Sequence, residues 1–139
     1  MSKQTDSTRR NFIKTSSATA GAVLAFPTVT FGKSNSSKLK LGWIGCGGRG
    51  SGAINQALSA DSNVELHAIG EAFQDKAEAG LERIKKYHPG KINGQVKKRM
   101  FVGLDAYQKV IDTGVDVVLL TTPPGFRPQH IKAAVDAGK

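Results

Sequence analysis

The chain has 139 residues, 39% hydrophobic and 22% charged, which suits one folded domain and excludes a wholly disordered protein. The net charge of +9 sits mainly in the leader: residues 1–40 hold seven Lys/Arg and one acid, residues 41–139 thirteen and ten, so the globular part lacks the charge of a nucleic-acid module. The lone Cys46 excludes an internal disulfide framework and a multi-cysteine zinc site, and no apolar run is long enough for a conventional transmembrane helix.

Residues 1–8 are polar and lead into Thr8-Arg9-Arg10-Asn11-Phe12-Ile13-Lys14. A weakly apolar stretch of Ala, Thr, Ser and Gly follows, from Thr15 to about Phe26. This is the charged region and short hydrophobic region of an export signal. The paired arginines before Phe-Ile-Lys resemble the twin-arginine signal, with isoleucine in place of leucine, and the low hydrophobicity of the stretch agrees with that route. The resemblance implies the twin-arginine machinery as a partner and a periplasmic or otherwise exported location. Val23-Leu24-Ala25 offers a small-residue cleavage site, with Pro27 just beyond it. An uncleaved signal would leave the chain anchored to the membrane. Residues 1–37 are thus read as signal and linker, and 38–139 as the folded domain.

Leu39, Leu41 and Trp43 alternate with Lys38, Lys40 and Gly42, which predicts a strand ending at Ile44. It runs directly into Gly45-Cys46-Gly47-Gly48-Arg49-Gly50, a G-x-G-x-x-G sequence. Ala53, Ile54, Ala57 and Leu58 then mark one helical face, and Asp61 lies past its end. Strand, glycine loop and helix in this order point to a diphosphate site. Gly45 permits the tight turn, Gly47 lets the main chain approach a pyrophosphate, and Gly50 lets the helix pack on the strand. The amides of Gly48 and Arg49 face the phosphates from the helix N-terminus. The Arg49 side chain can reach a phosphate or stand in solvent. Cys46 reads as a small buried residue, because no base stands near it in sequence.

The second strand is Val64–Ile69, closing on Gly70-Glu71. Glu71 stands at the spacing where an acid meets the adenosine ribose, and its charge would repel a 2′-phosphate. NAD is therefore expected over NADP, with Lys76 close enough to keep NADP open. His67, in mid-strand, reads as a structural histidine.

Asp75–Tyr87 is predicted as a helix with Ala77, Leu81 and Ile84 inward and a Glu82–Lys86 pair outward. His88-Pro89-Gly90 stops it, and Asn93-Gly94 marks a turn. Met100–Val102 is a short third strand, with Lys97-Lys98-Arg99 read as guards of an edge. Leu104–Asp112 is a short helix with Leu104, Tyr107, Val110 and Ile111 apolar, ended by Thr113-Gly114. Val115–Thr121 is a fourth strand, apolar on both faces in its core, followed by the loop Thr122–Arg127. Pro128 opens a last helix with Ile131, Ala134 and Val135 on one face and Gly138 as its stop.

Alternating strands and helices predict an α/β fold, a doubly wound parallel sheet of the Rossmann type with strand order 3-2-1-4. So apolar a fourth strand is a poor edge. A fifth strand from a longer protein is expected beside it, so the fold is read as incomplete at the C-terminus; the alternative is cover by a partner chain.

Gly45–Gly50, Glu71, Val117–Pro124 and Ala133–Lys139 together resemble the glucose–fructose oxidoreductase / inositol dehydrogenase (Gfo/Idh/MocA-like) family from about Leu39 onward. Thr-Thr-Pro-Pro after the fourth strand, paired with Ala-Gly-Lys closing the next helix, is the more specific part. The resemblance implies hydride transfer between a sugar or cyclitol carbon and nicotinamide, with the cofactor carrying the chemistry. It implies that Gly45, Cys46, Gly47, Gly48, Arg49 and Gly50 hold the pyrophosphate and Glu71 the adenosine ribose. Thr122, Pro123 and Pro124 would line the nicotinamide half. No catalytic residue and no metal ligand is assigned within this chain. The family's Glu-Lys-Pro motif follows Ala-Gly-Lys, so Lys139 is not its catalytic lysine. Gly125-Phe126-Arg127 departs from the histidine that many members carry in that loop. The substrate would engage a further C-terminal domain, and the full-length protein is expected to be a homo-oligomer. A non-catalytic nucleotide-binding protein of the same fold is the alternative; a methyltransferase is disfavoured by the Thr-Thr-Pro-Pro loop.

Overall fold

A computed structural model of the chain describes residues 37–139. The twin-arginine segment and the linker before residue 37 lie outside the described residues. Four strands form one parallel sheet: β1 (Leu39–Ile44), β2 (Val64–Glu71), β3 (Met100–Val102) and β4 (Val117–Leu120). Their order is β3-β2-β1-β4. Helices α1 (Gly48–Ala60), α2 (Gln74–Tyr87), α3 (Ala106–Asp112) and α4 (Arg127–Asp136) alternate with them. The fold is α/β and Rossmann-like, with the strand order the sequence predicts.

Alternation in β1 divides the core into two layers. Leu41 and Trp43 point to one side, where they meet Ile54 and Leu58 of α1 and Ala77, Leu81 and Ile84 of α2. Ile44 points to the other, with Ala68, Val110 and Val115. Both faces of the sheet are therefore covered, and β2 is buried from Leu66 to Gly70 as a central parallel strand must be. Trp43 is fully buried against the glycine side of α2, where a Cβ on Gly80 would stand 2.9 Å from its ring.

Several local expectations change. The fourth strand is shorter than Val115–Thr121: Val115 is buried ahead of it, and Val117 is 37% exposed because β4 pairs only with β1 among the described residues. The third helix starts at Ala106, leaving Leu104 in the preceding turn and 73% exposed. In α4 the buried side chains are His130 and Ala134, while Ile131 and Val135 are exposed. The inward face is thus turned one residue from the one that apolarity selects. Glu82 pairs with Lys85, one turn away at 2.6 Å, rather than with Lys86. Lys97–Arg99 lie in a 3₁₀ turn (Val96–Arg99), and the Arg99 guanidinium turns inward to Asn93 Oδ1 at 3.0 Å and His67 Nδ1 at 3.3 Å. Arg99 fastens this turn to β2 instead of guarding an edge. Gly138 ends α4 as expected, at φ +69, with its amide donating to the Val135 carbonyl.

Candidate functional site

The carboxyl ends of β1, β2 and β4 open into one cleft of about 660 Å³. Beyond Ile44 the chain turns at Gly45, whose φ of +94° is open to glycine and strained for other residues. The turn is fastened from both sides. The Gly45 amide donates to the Gly70 carbonyl at 2.8 Å, and the Thr121 amide to that of Ile44 at 2.9 Å. The Thr121 hydroxyl lies 2.6 Å from the Gly45 carbonyl oxygen. A Cβ on Gly50 would stand 2.0 Å from that same oxygen, so only glycine lets α1 start so close to β1.

Gly47 precedes α1, and no side chain caps the helix. Its first turn holds no acid either, so its amides and the positive end of the helix dipole face the cleft with no capping side chain of the helix itself. Around Gly47 and Gly48 a Cβ would meet nothing within 4 Å. Space for close approach, free amide donors and a helix N-terminus together fit a diphosphate. Arg49, Lys76 and Arg127 add cationic side chains to the cleft, against the single carboxylate of Glu71.

Glu71 ends β2 beside this loop. Its Oε2 accepts the Cys46 amide at 2.5 Å and its Oε1 the Ala72 amide at 2.7 Å. Two backbone donors thus hold the carboxylate in place at the cleft wall. The Cys46 side chain points into the core, 4% exposed. Burial, and then the neighbouring Glu71 charge, push its thiol far above the ordinary thiol range. Burial thus argues against a nucleophilic role for Cys46, and its amide is already engaged.

Nine of the ten residues singled out in the sequence line the cleft: Gly45, Gly47, Gly48, Arg49, Gly50, Glu71, Thr122, Pro123 and Pro124. Cys46 is the exception. The cleft also takes residues the sequence did not mark. Phe73 and Leu104 bring exposed apolar surface to the β2–β3 side, at 65% and 73% exposure. At the β4 side stands His130, only 5% exposed, with its Nδ1 3.1 Å from Thr122 Oγ1. Burial lowers its pKa, favouring the uncharged ring. The signal for Phe73 was available, as a large apolar residue two positions after the strand-end acid. His130 had none, because a histidine inside a helix carries no motif.

Among the described residues no three His, Cys, Asp or Glu side chains converge as a metal set. No helix among them is long and apolar enough to cross a membrane. No family model matches the chain, and no curated protein matches it.

Proposed function

We propose that this chain is the dinucleotide-binding part of an exported NAD-dependent oxidoreductase of the glucose–fructose oxidoreductase / inositol dehydrogenase type. The observation that carries the reading is the uncapped N-terminus of α1, standing over the open space at Gly47 and Gly48 with the fixed Glu71 carboxylate beside it. In this reading the amides of Gly48, Arg49 and Gly50 hold the diphosphate and Glu71 accepts the adenosine ribose hydroxyls. Thr122, Pro123 and Pro124 line the nicotinamide half, because β4 flanks β1 on the side opposite β2. A nicotinamide bound there supplies a hydride acceptor or donor for a sugar or cyclitol carbon. The chain's own contribution is to orient the ligand and to set its charge preference. Glu71 repels a 2′-phosphate, which favours NAD; Lys76 on the same cleft makes NADP the necessary comparison.

The leader supports the same reading independently. An enzyme that folds around its nucleotide before leaving the cytoplasm needs an export route for folded proteins, which the resemblance of Arg9-Arg10 and Phe12-Ile13-Lys14 to a twin-arginine signal implies. Such an enzyme retains its nucleotide tightly.

Calorimetry on the full chain tests the proposal, with NAD, NADP and S-adenosylmethionine as ligands. NAD should bind more tightly than NADP, and S-adenosylmethionine should give no heat. No heat from either dinucleotide, in a preparation found to carry no bound nucleotide, would overturn it. Export is tested separately by the double substitution Arg9→Lys, Arg10→Lys, which should hold the chain in the cytoplasm.

A further inference from the structure

At the β4 end of the cleft the side chains form a small ordered assembly. His130 lies one turn into α4, on the face that carries Ala134. Its imidazole stacks on Tyr107 of α3, with ring centroids 4.2 Å apart and planes at 26°. Phe126 lies near it at 6.2 Å and 22°. Tyr107 is itself held, because Gln129 Nε2 donates to its hydroxyl at 2.7 Å. The Thr122 carbonyl accepts from Arg127 Nε at 2.9 Å, so the backbone that carries Thr122 is fixed as well. The Thr122 hydroxyl meets His130 Nδ1 at 3.1 Å.

A histidine on the inward face of a helix loses hydration that an aliphatic residue would not have needed. Its side-chain partner here is a threonine on the wall of the cleft. Neighbouring Thr121 has no such freedom, since its hydroxyl is spent on the carbonyls behind the glycine turn. Thr122 is therefore the hydroxyl at the end of β4 that remains able to serve a ligand.

We propose that His130 is a positioning residue: it accepts the Thr122 hydroxyl hydrogen at Nδ1 and so turns the Thr122 oxygen lone pairs toward the ligand. Thr122 then acts as a fixed acceptor for a donor on the nicotinamide-side nucleoside, either the carboxamide N–H or a ribose hydroxyl. This inference rests on the dinucleotide reading above and assigns one of its polar contacts. A freely rotating hydroxyl would have to be ordered on binding; one already held by His130 does not.

The test compares NAD with ADP by calorimetry on the full chain. ADP keeps the diphosphate and the adenosine but lacks the second nucleoside. His130→Phe keeps a ring against Tyr107 and removes Nδ1. Thr122→Val removes the hydroxyl without changing the side chain's shape. Each should weaken NAD about tenfold and leave ADP within about twofold, and the double variant should lose no more than either single one. His130→Asn, which restores an acceptor near the Nδ1 position, should keep NAD within about threefold of the parent. Equal losses for NAD and ADP, additive losses in the double variant, or unchanged NAD binding by Thr122→Val would each overturn the proposal. Should His130→Phe fail to fold, His130→Leu, which also lacks Nδ1, takes its place, since Thr122→Val by itself tests only the Thr122 contact. A parent chain that binds neither ligand overturns the dinucleotide reading together with this one. A parent that binds NAD no better than Thr122→Val does overturns only this one.

Discussion

The Glu71 carboxylate accepts the backbone amide of Cys46 at 2.5 Å, across 25 residues of sequence. The acid at the end of β2 and the loop at the end of β1 are thereby one unit. A change at Glu71 therefore reaches the glycine loop as well as the carboxylate's own wall of the cleft.

Glu71→Ala should therefore weaken NAD and ADP alike, by roughly 10- to 100-fold, since a hydrogen bond to a charged acceptor contributes about 1.5–3 kcal/mol. It also leaves the Cys46 amide without its acceptor, at a cost to folding of about 1–3 kcal/mol. Calorimetry and urea denaturation read the two effects separately. Loss of NAD binding with ADP binding untouched would contradict the coupling.

The glycines should separate by role. Gly50→Ala drives a Cβ to 2.0 Å from the Gly45 carbonyl oxygen and should destabilise the fold by about 3 kcal/mol or more. Gly47→Ala meets no protein atom within 4 Å, and its backbone at φ −66° suits alanine. Its thermal stability should stay within about 1 kcal/mol of the parent while its NAD affinity falls. A Gly47→Ala variant that binds NAD normally would remove the diphosphate from this loop.

Cys46 should resist thiol reagents. Its side chain is buried and its thiol is held protonated by desolvation and by the Glu71 charge. At pH 8 a disulfide reagent should label it at least about 100-fold more slowly in the folded chain than in urea. Rapid labelling under native conditions would show the loop opening.

Acid should destabilise the fold through two histidines. Burial lowers the pKa of both His67 and His130 below the ordinary 6.5; Arg99 and Lys40 push His67 further down, against Glu65. As the pH falls below 6.5 the unfolded chain takes up protons that the folded chain refuses. The stability these groups hold above that value is lost as the pH drops toward their folded pKa values, at up to about 1.4 kcal/mol per pH unit for each histidine. The urea midpoint should be lower at pH 5.5 than at pH 7.5, and the difference should shrink in a His67→Asn, His130→Asn variant.

The first half of the fold is written in local signals. Alternation from Leu39 to Trp43, the glycines from Gly45 to Gly50 and the acid at Glu71 each carry their meaning within a few residues. The strand order follows from them and from the handedness of the crossovers. What the sequence hides depends on distant partners. Ile131 and Val135 are more apolar than His130, yet His130 faces inward because Thr122 and Tyr107 receive it there. Arg99 turns inward for the same kind of reason, since Asn93 and His67 offer it acceptors that no local pattern announces. Leu104 stands ahead of its expected helix, in the turn that the Ala106 amide closes on the Gly103 carbonyl at 3.2 Å.

The Thr121 hydroxyl, latched to carbonyls 76 and 77 residues earlier, has a consequence in time. A ribosome releases β1 and its bend long before it releases β4. Until Thr121 emerges, that bend lacks one of its two clamps, and on the reading proposed above a nucleotide arriving early would find a half-fastened cradle. If the cleft takes the dinucleotide proposed above, loading would have to wait until β4 has left the tunnel.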